Sequence, residues 1–327
     1  MPGGRDRRRM KVRVPPALVR FGARQVSPHV LNPRLPWAVQ RRRLHGLVGP
    51  WPLPRGTSVT KTTCNGVPVE VVTARSTAAV TVVHFHGGGY CVGSPAEARD
   101  WAAHLAARAG CRVVLPAYRL APEHPYPAAV DDARAVVSAA LRGAASGTVV
   151  VSGDSAGGGL ALGVALTLPG TTEGAARLAG CMLLSPWLDL TADWTAATEL
   201  TRRDVVLSPA WLEACARAYV PTGDRAHPMI SPLHANLSGL PPLLIQCGTD
   251  DLVAPDSEKL AARAEVVGVD VTYSRWRGLW HDFTLQPDIT AAADKALDEA
   301  TGFVARVSAP NGPGQPTDTG EGPGAGG

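Results

Sequence analysis

The 327-residue sequence predicts an α/β fold, with a mostly parallel central sheet, helices on both faces and a helical cap. Three observations predict it. From about residue 95 onward, short β-branched runs alternate with helical patterns, the signature of parallel strands joined by helical crossovers. Two glycine-rich turns, His86-Gly87-Gly88-Gly89 and Gly153-Asp154-Ser155-Ala156-Gly157, each follow such a run, which puts them at the carboxyl ends of strands, where open α/β sheets bind ligands. The chain is also long enough, at 45% hydrophobic residues, to bury a large core in one α/β domain plus a small lid.

Residues 1–14 are basic and polar and are expected to be disordered. Residues 15–50 hold short helical patterns interrupted by Pro33 and Pro36 and are assigned to the first part of the cap. Strands are expected at 57–63, 68–73, 80–86, 111–116, 148–152, 180–185, 242–247 and 269–275, which divide the core into 51–190 and 236–307. Residues 191–235, with Trp194, Trp211 and Tyr219, interrupt the alternation and supply the second cap segment. Beyond residue 308 the chain is mostly Gly, Pro, Asp and Glu, a composition that cannot bury enough apolar surface to fold.

Ser155 stands between the strand-like Thr148-Val149-Val150-Val151-Ser152 and the helix-like Leu160–Leu166. A strand, a sharp turn and a helix lift a serine hydroxyl out of the sheet, and glycines on either side let the two elements approach. Gly153 and Gly157 meet that need. Attack on an acyl carbonyl creates an oxyanion, which backbone N–H groups stabilise best where no side chain intervenes. The run Gly87-Gly88-Gly89 supplies such groups, and Ala156, at a helix N-terminus, adds another.

A serine hydroxyl needs an imidazole to take its proton, and the imidazole needs a carboxylate to fix its tautomer. On a strand-turn-helix nucleophile these follow in the order serine, acid, histidine. Of nine histidines, His227, His234 and His281 follow Ser155. His227 and His234 lie in a Pro-rich stretch that reads as surface or lid, whereas His281 follows the last strand pattern and is the candidate base. The strand 242–247 ends in Thr249-Asp250-Asp251, two adjacent carboxylates of which one can face the imidazole, and the pattern alone leaves the choice open. Asp256 reads as a cap or first-turn residue of the next helix. Asp154 and Glu123 read as structural carboxylates that bond neighbouring loops.

Together, His86-Gly87-Gly88-Gly89-Tyr90, Tyr118-Arg119-Leu120-Ala121-Pro122-Glu123-His124-Pro125-Tyr126-Pro127-Ala128-Ala129 and Gly153-Asp154-Ser155-Ala156-Gly157-Gly158 resemble the hormone-sensitive-lipase family, the bacterial family IV esterases of the α/β-hydrolase fold. The resemblance spans roughly residues 50–305. It implies a Ser-His-Asp carboxylesterase acting on short- to medium-chain acyl esters, with an oxyanion hole of Gly88, Gly89 and Ala156. It also implies an acid about thirty residues before the histidine, which lands on Asp251 and leaves Asp250 as the alternative. The family often reads Asp-Pro-Leu-x-Asp-Glu there, where this chain has Asp251-Leu252-Val253-Ala254-Pro255-Asp256. Tyr90 and Trp187 are candidate walls of the substrate pocket. An N-acetyl amide or lactone hydrolase would use the same groups, and a non-catalytic ligand-binding protein on this scaffold would typically lack the nucleophile or base retained here.

The formal charge of +4 is concentrated near the N-terminus, in Arg5, Arg7, Arg8, Arg9, Lys11, Arg13 and Arg41-Arg42-Arg43. No aromatic platform accompanies it, so no nucleic-acid partner is expected. Six cysteines without Cys-x-x-Cys spacing, several inside apolar strand patterns, read as thiols of a reducing compartment. No apolar stretch is long enough to span a membrane and no apolar signal region follows the basic start, so a cytoplasmic protein without stable membrane insertion is expected. The expected partner is a small-molecule ester, no cofactor or metal is called for, and a homo-oligomer is compatible with the sequence.

Overall fold

The structure, a computed structural model, describes residues 13–49, 52–75, 80–144, 147–168, 177–194 and 198–309. The expected disordered ends therefore lie almost wholly outside the described residues. In chain order the elements are α1 (Pro16–Val30), α2 (Trp37–His45), β1 (Ser58–Cys64), β2 (Val67–Thr73), β3 (Val80–Phe85), α3 (Pro95–Ala109), β4 (Arg112–Pro116), α4 (Ala128–Gly143), β5 (Thr148–Asp154) and α5 (Ala156–Thr167). They continue with β6 (Arg177–Leu184), α6 (Thr198–Arg203), α7 (Pro209–Tyr219), β7 (Leu243–Gly248), α8 (Ala254–Val266), β8 (Val271–Trp276) and α9 (Ala291–Ser308).

The eight strands form one sheet in the order β1-β2-β4-β3-β5-β6-β7-β8. The β1–β2 and β2–β4 pairs are antiparallel and the rest are parallel. Parallel strands covered on both faces have no solvent side, which is why β3, β5 and β7 read as continuous apolar runs rather than alternating ones. Helices α3 and α9 pack on one face over Val82, Val113, Val150 and Met182, while α4, α5 and α8 cover the other over Val83, Val151, Leu183 and Ile245. The chain crosses from β4 through α4 to β5, passing β3, so strand order reverses about β3 and the crevice opens beyond the carboxyl ends of β3 and β5.

Local signals set several helix ends. Ser94 caps α3 by accepting from the Ala96 N–H at 3.3 Å and donates to Glu97 at 2.5 Å; Pro95 opens the helix, and Gly110 closes it in the left-handed region (φ 62°). Ser208 and Thr290 cap α7 and α9 in the same way.

Helices α1 and α2, together with the segment carrying α6 and α7, lie beyond the carboxyl edge of the sheet, where Leu31, Leu44, Leu207 and Trp211 face Ser155 across a shared cavity. Two polar ties join these distant stretches of chain. Arg20 of α1 donates to the Asp250 carboxylate at 2.7 Å and to the carbonyls of Gly278 (3.0 Å) and Arg203 (2.5 Å). Gln40 of α2, fully buried, accepts from the Trp211 indole N–H at 2.8 Å and donates to the Leu35 carbonyl at 2.9 Å.

Replacing Gln40 with alanine leaves the buried Trp211 N–H without its acceptor, and an unsatisfied buried donor costs about 1–3 kcal/mol. The Gln40→Ala protein should unfold at a lower urea midpoint with an unchanged slope. An unchanged midpoint would show that this tie contributes nothing.

Candidate active site

Ser155 joins β5 to α5 with φ 52° and ψ −122°, a conformation that costs a non-glycine residue of order 1–3 kcal/mol and persists only where its surroundings enforce it. They do so by close approach. A Cβ on Gly153 would lie 2.1 Å from the Gly157 carbonyl oxygen, and one on Gly157 would lie 2.0 Å from that of Phe85, so only glycine fits on either side. The Ser155 N–H donates to the Leu184 carbonyl at 2.9 Å, and its own carbonyl accepts from Trp187 (2.9 Å) and Gly158 (3.0 Å). The hydroxyl is thus held at the floor of the crevice, with Ser155 3% exposed.

Beyond β3 the chain turns through His86 to Gly89, and Asp154 anchors the turn. Its Oδ2 accepts from the Gly87 N–H at 2.8 Å and its Oδ1 bonds His84 Nε2 at 3.0 Å. Tyr118 donates from its hydroxyl to the His86 carbonyl at 2.7 Å and stacks on the His86 ring at 4.3 Å. Burial pulls the His86 imidazole down, so it stays neutral, and its Nδ1 lies 2.8 Å from the Gly87 carbonyl. With the Gly87 amide committed to Asp154, the Gly88 and Gly89 amides remain, and among the described residues neither donates to a protein acceptor. Both residues have positive φ, 112° and 59°. Ala156 opens α5 directly after Ser155.

The structure brings Ser155, His281 and Asp251 together. His281 Nε2 lies 2.9 Å from Ser155 Oγ, and its Nδ1 lies 3.0 Å from Asp251 Oδ1. Asp251 is fully buried and also accepts from the Val253 N–H at 3.0 Å. Asp250, the other candidate acid, points to Arg20 instead. Burial pulls the His281 imidazole down, but the Asp282 and Asp251 carboxyls more than offset it and leave its pKa well above the usual histidine range.

Other carboxyls support this centre. Asp204 is buried against Asp251; burial, then the Asp251 charge, push its pKa up to about 6, and its oxygens accept from the N–H groups of Val206, Leu207 and Leu252. Asp256 sits in the first turn of α8, where it was expected, and its carboxyl accepts from Leu188 and Asp189, bracing the loop after β6; burial pushes its pKa up to about 7. Asp154 and Glu123 bond neighbouring loops, Glu123 through a bidentate pair with Arg41 of α2 at 2.6 and 2.9 Å.

A cavity of about 140 Å³ opens in front of Ser155, lined by His86, Gly87, Gly88, His281 and Asp282 and roofed by Leu31, Leu44, Leu207 and Trp211. A larger cavity of about 690 Å³ shares Leu44, Glu97 and Leu285 with it and continues over Leu47, Leu53 and Ile289. Tyr90 and Trp187 lie elsewhere: Tyr90 stacks on Tyr219 at 3.9 Å, Trp187 packs behind Ser155 with its indole N–H on the Asp189 carbonyl, and both are almost wholly buried, outside the lining of the small cavity. Sequence reasoning did not single out Asp204 or Asp282. Asp282 carried a signal, an acidic residue directly after the candidate base His281; Asp204 carried only its place before the apolar Val205-Val206-Leu207.

Known proteins share this architecture. A family model described as the α/β-hydrolase fold matches residues 82–285. The chain is 35% identical over 225 residues to an acetyl-hydrolase of Streptomyces hygroscopicus, covering 68% of this chain and 75% of that protein. It is 34% identical over 243 residues to an esterase of Acinetobacter venetianus, covering 73% and 78% respectively. The crystal structure of a hormone-sensitive lipase from a metagenome library superposes with a TM-score of 0.84 at 33% identity, covering 91% of this chain and all of that one. Fold, strand-turn-helix serine and these likenesses agree: the chain belongs to the hormone-sensitive-lipase family of α/β-hydrolases and is a serine-type carboxylic ester hydrolase.

Proposed function

We propose that Ser155, His281 and Asp251 are the catalytic triad of a carboxylesterase acting on short- to medium-chain acyl esters, with Gly88, Gly89 and Ala156 as the oxyanion donors. The observation that carries this reading is the hydrogen-bonded chain from Ser155 Oγ through His281 to Asp251, at 2.9 and 3.0 Å, beside the Gly88 and Gly89 amides, which have no protein acceptor among the described residues.

Asp251 holds Nδ1–H, so the Nε2 lone pair faces the serine. As Oγ attacks the acyl carbonyl, its proton passes to Nε2 and the carbonyl oxygen becomes an oxyanion that the three amides stabilise. Collapse of the tetrahedral intermediate breaks the ester C–O bond, and the imidazolium returns the proton to the departing alkoxide. Water then attacks the acyl-serine by the same proton path, regenerating Ser155 and releasing the acid. The small apolar-roofed cavity supports an acyl group of few carbons, and the wider one beside it supports a bulkier alcohol. The relative named an acetyl-hydrolase also favours a short acyl group. All six cysteines are free thiols and five are buried, which supports action in the reducing cytoplasm.

Release of p-nitrophenol from p-nitrophenyl esters tests the assignment. Ser155→Ala and His281→Ala should lower kcat by about 10⁴-fold or more, and Asp251→Asn by about 10³–10⁴-fold. Asp250→Asn should stay within about threefold of the parent, because a carboxylate outside the cavity lining that pairs with Arg20 contributes mainly to stability. An Asp250→Asn loss as deep as that of Asp251→Asn would reassign the acid.

A chain-length series tests the cavity. kcat/KM should be highest between acetate and butyrate and about tenfold lower or more by decanoate, since carbons that find no room contribute no binding. A profile that climbs steadily to decanoate would mean the acyl chain runs through the larger cavity.

A further inference from the structure

His281 Nε2, the nitrogen that meets Ser155, has a second neighbour that the mechanism above does not use. Asp282 Oδ2 lies 3.2 Å from it. The side chain lines the cavity in front of Ser155, about a fifth of it exposed there, and its other oxygen, Oδ1, has no hydrogen-bond partner among the described residues. Its backbone sits at φ 55° and ψ 26°, the left-handed region natural to glycine and tolerated by aspartate at some cost, with the N–H fixed on Ser185 Oγ at 3.1 Å.

A carboxylate beside the lone pair of a neutral imidazole nitrogen is repulsive. The contact becomes favourable when a proton lies between them, as a carboxylic acid donating to Nε2 or as an imidazolium donating to the carboxylate. Either arrangement occupies the lone pair that must accept the serine proton. That proton has to leave for solvent before Ser155 can attack. Once attack has begun, the same carboxylate helps Asp251 stabilise the imidazolium that forms.

We propose that Asp282 is a second carboxyl partner of the catalytic imidazole, a positioning residue on the nucleophile side that holds back turnover in acid and speeds it in alkali. This proposal rests on the triad assigned above. Other titratable groups face the pair: Asp251 on the Nδ1 side with Asp204 beside it, Asp154 at the end of β5, and His86 and Glu97 in the cavity lining. All of them remain when Asp282 alone is changed. The direction follows from charge: removing the carboxylate destabilises the imidazolium, so the free base persists to lower pH.

The experiment compares kcat/KM for p-nitrophenyl acetate against pH in the parent protein, Asp282→Asn and Asp282→Gly. Glycine relieves the positive φ, so that variant folds without added strain. In both variants the acid limb should move down by at least one pH unit, giving about tenfold more activity relative to the plateau at low pH, while the alkaline plateau falls, so the profiles cross. A uniform loss with an unmoved limb in both variants overturns the proposal. The pH dependence of fluorophosphonate labelling of Ser155, followed by intact mass, reads the base without ester turnover. A shifted labelling limb in a protein that turns over no ester would sustain the role of Asp282 and sink the esterase reading. The same limb in all three proteins would sink the role of Asp282 alone.

Discussion

The site depends on one close approach, that of the start of α5 to the ends of β5 and β3. Gly157 brings the helix against the Phe85 carbonyl with no room for a Cβ, and Gly153 does the same for the strand against the helix. That contact bends the chain at Ser155 into a conformation that would otherwise be costly. It also places the loop after β3 beside Ser155, since Phe85 is the last residue of that strand. The reversal of strand order at β3 opens a crevice above this floor, which the cap helices roof with Leu44 and Trp211.

Around this floor the protein buries several carboxyl groups. Asp154, Asp204, Asp251 and Asp256 are all less than a tenth exposed, and each answers to backbone N–H groups or to a histidine. Carboxyls bonded to the backbone in this way brace the loops: Asp154 holds the glycine loop, Asp256 the loop after β6, and Asp204 ties the segment before α7 to the residue next to Asp251. Asp282 and Asp251 together favour the imidazolium form of His281 against the burial that opposes it.

Much of this was legible in the sequence because it is local. The sharp turn at Ser155 needs glycines at fixed offsets, so the turn could be placed from a handful of residues, and the eight strands follow from β-branched runs whose ends shift by only a few residues. Which of Asp250 and Asp251 faces His281 is not local in the same sense. Residues 250 and 251 are chemically alike, and what separates their directions is Arg20, 230 positions earlier on α1, which no pattern near residue 250 announces. Tyr90 and Trp187 show the complementary difficulty. Their large aromatic rings could be foreseen near the site, but their orientation is decided by packing on Tyr219 and behind Ser155. The roof is a tertiary product too: Leu31, Leu44, Leu207 and Trp211 come from three separate stretches, brought together by ties such as that between Gln40 and Trp211.

The central claim is that Ser155 carries the acyl group during turnover. Its most direct test is to quench the protein in acid while it hydrolyses p-nitrophenyl acetate, weigh the intact chain and map the adduct by peptide mass. A single acetyl group on the peptide spanning Ser155, absent from Ser155→Ala, is the predicted result. Turnover with an adduct on any other residue, or undiminished turnover in Ser155→Ala, would contradict it.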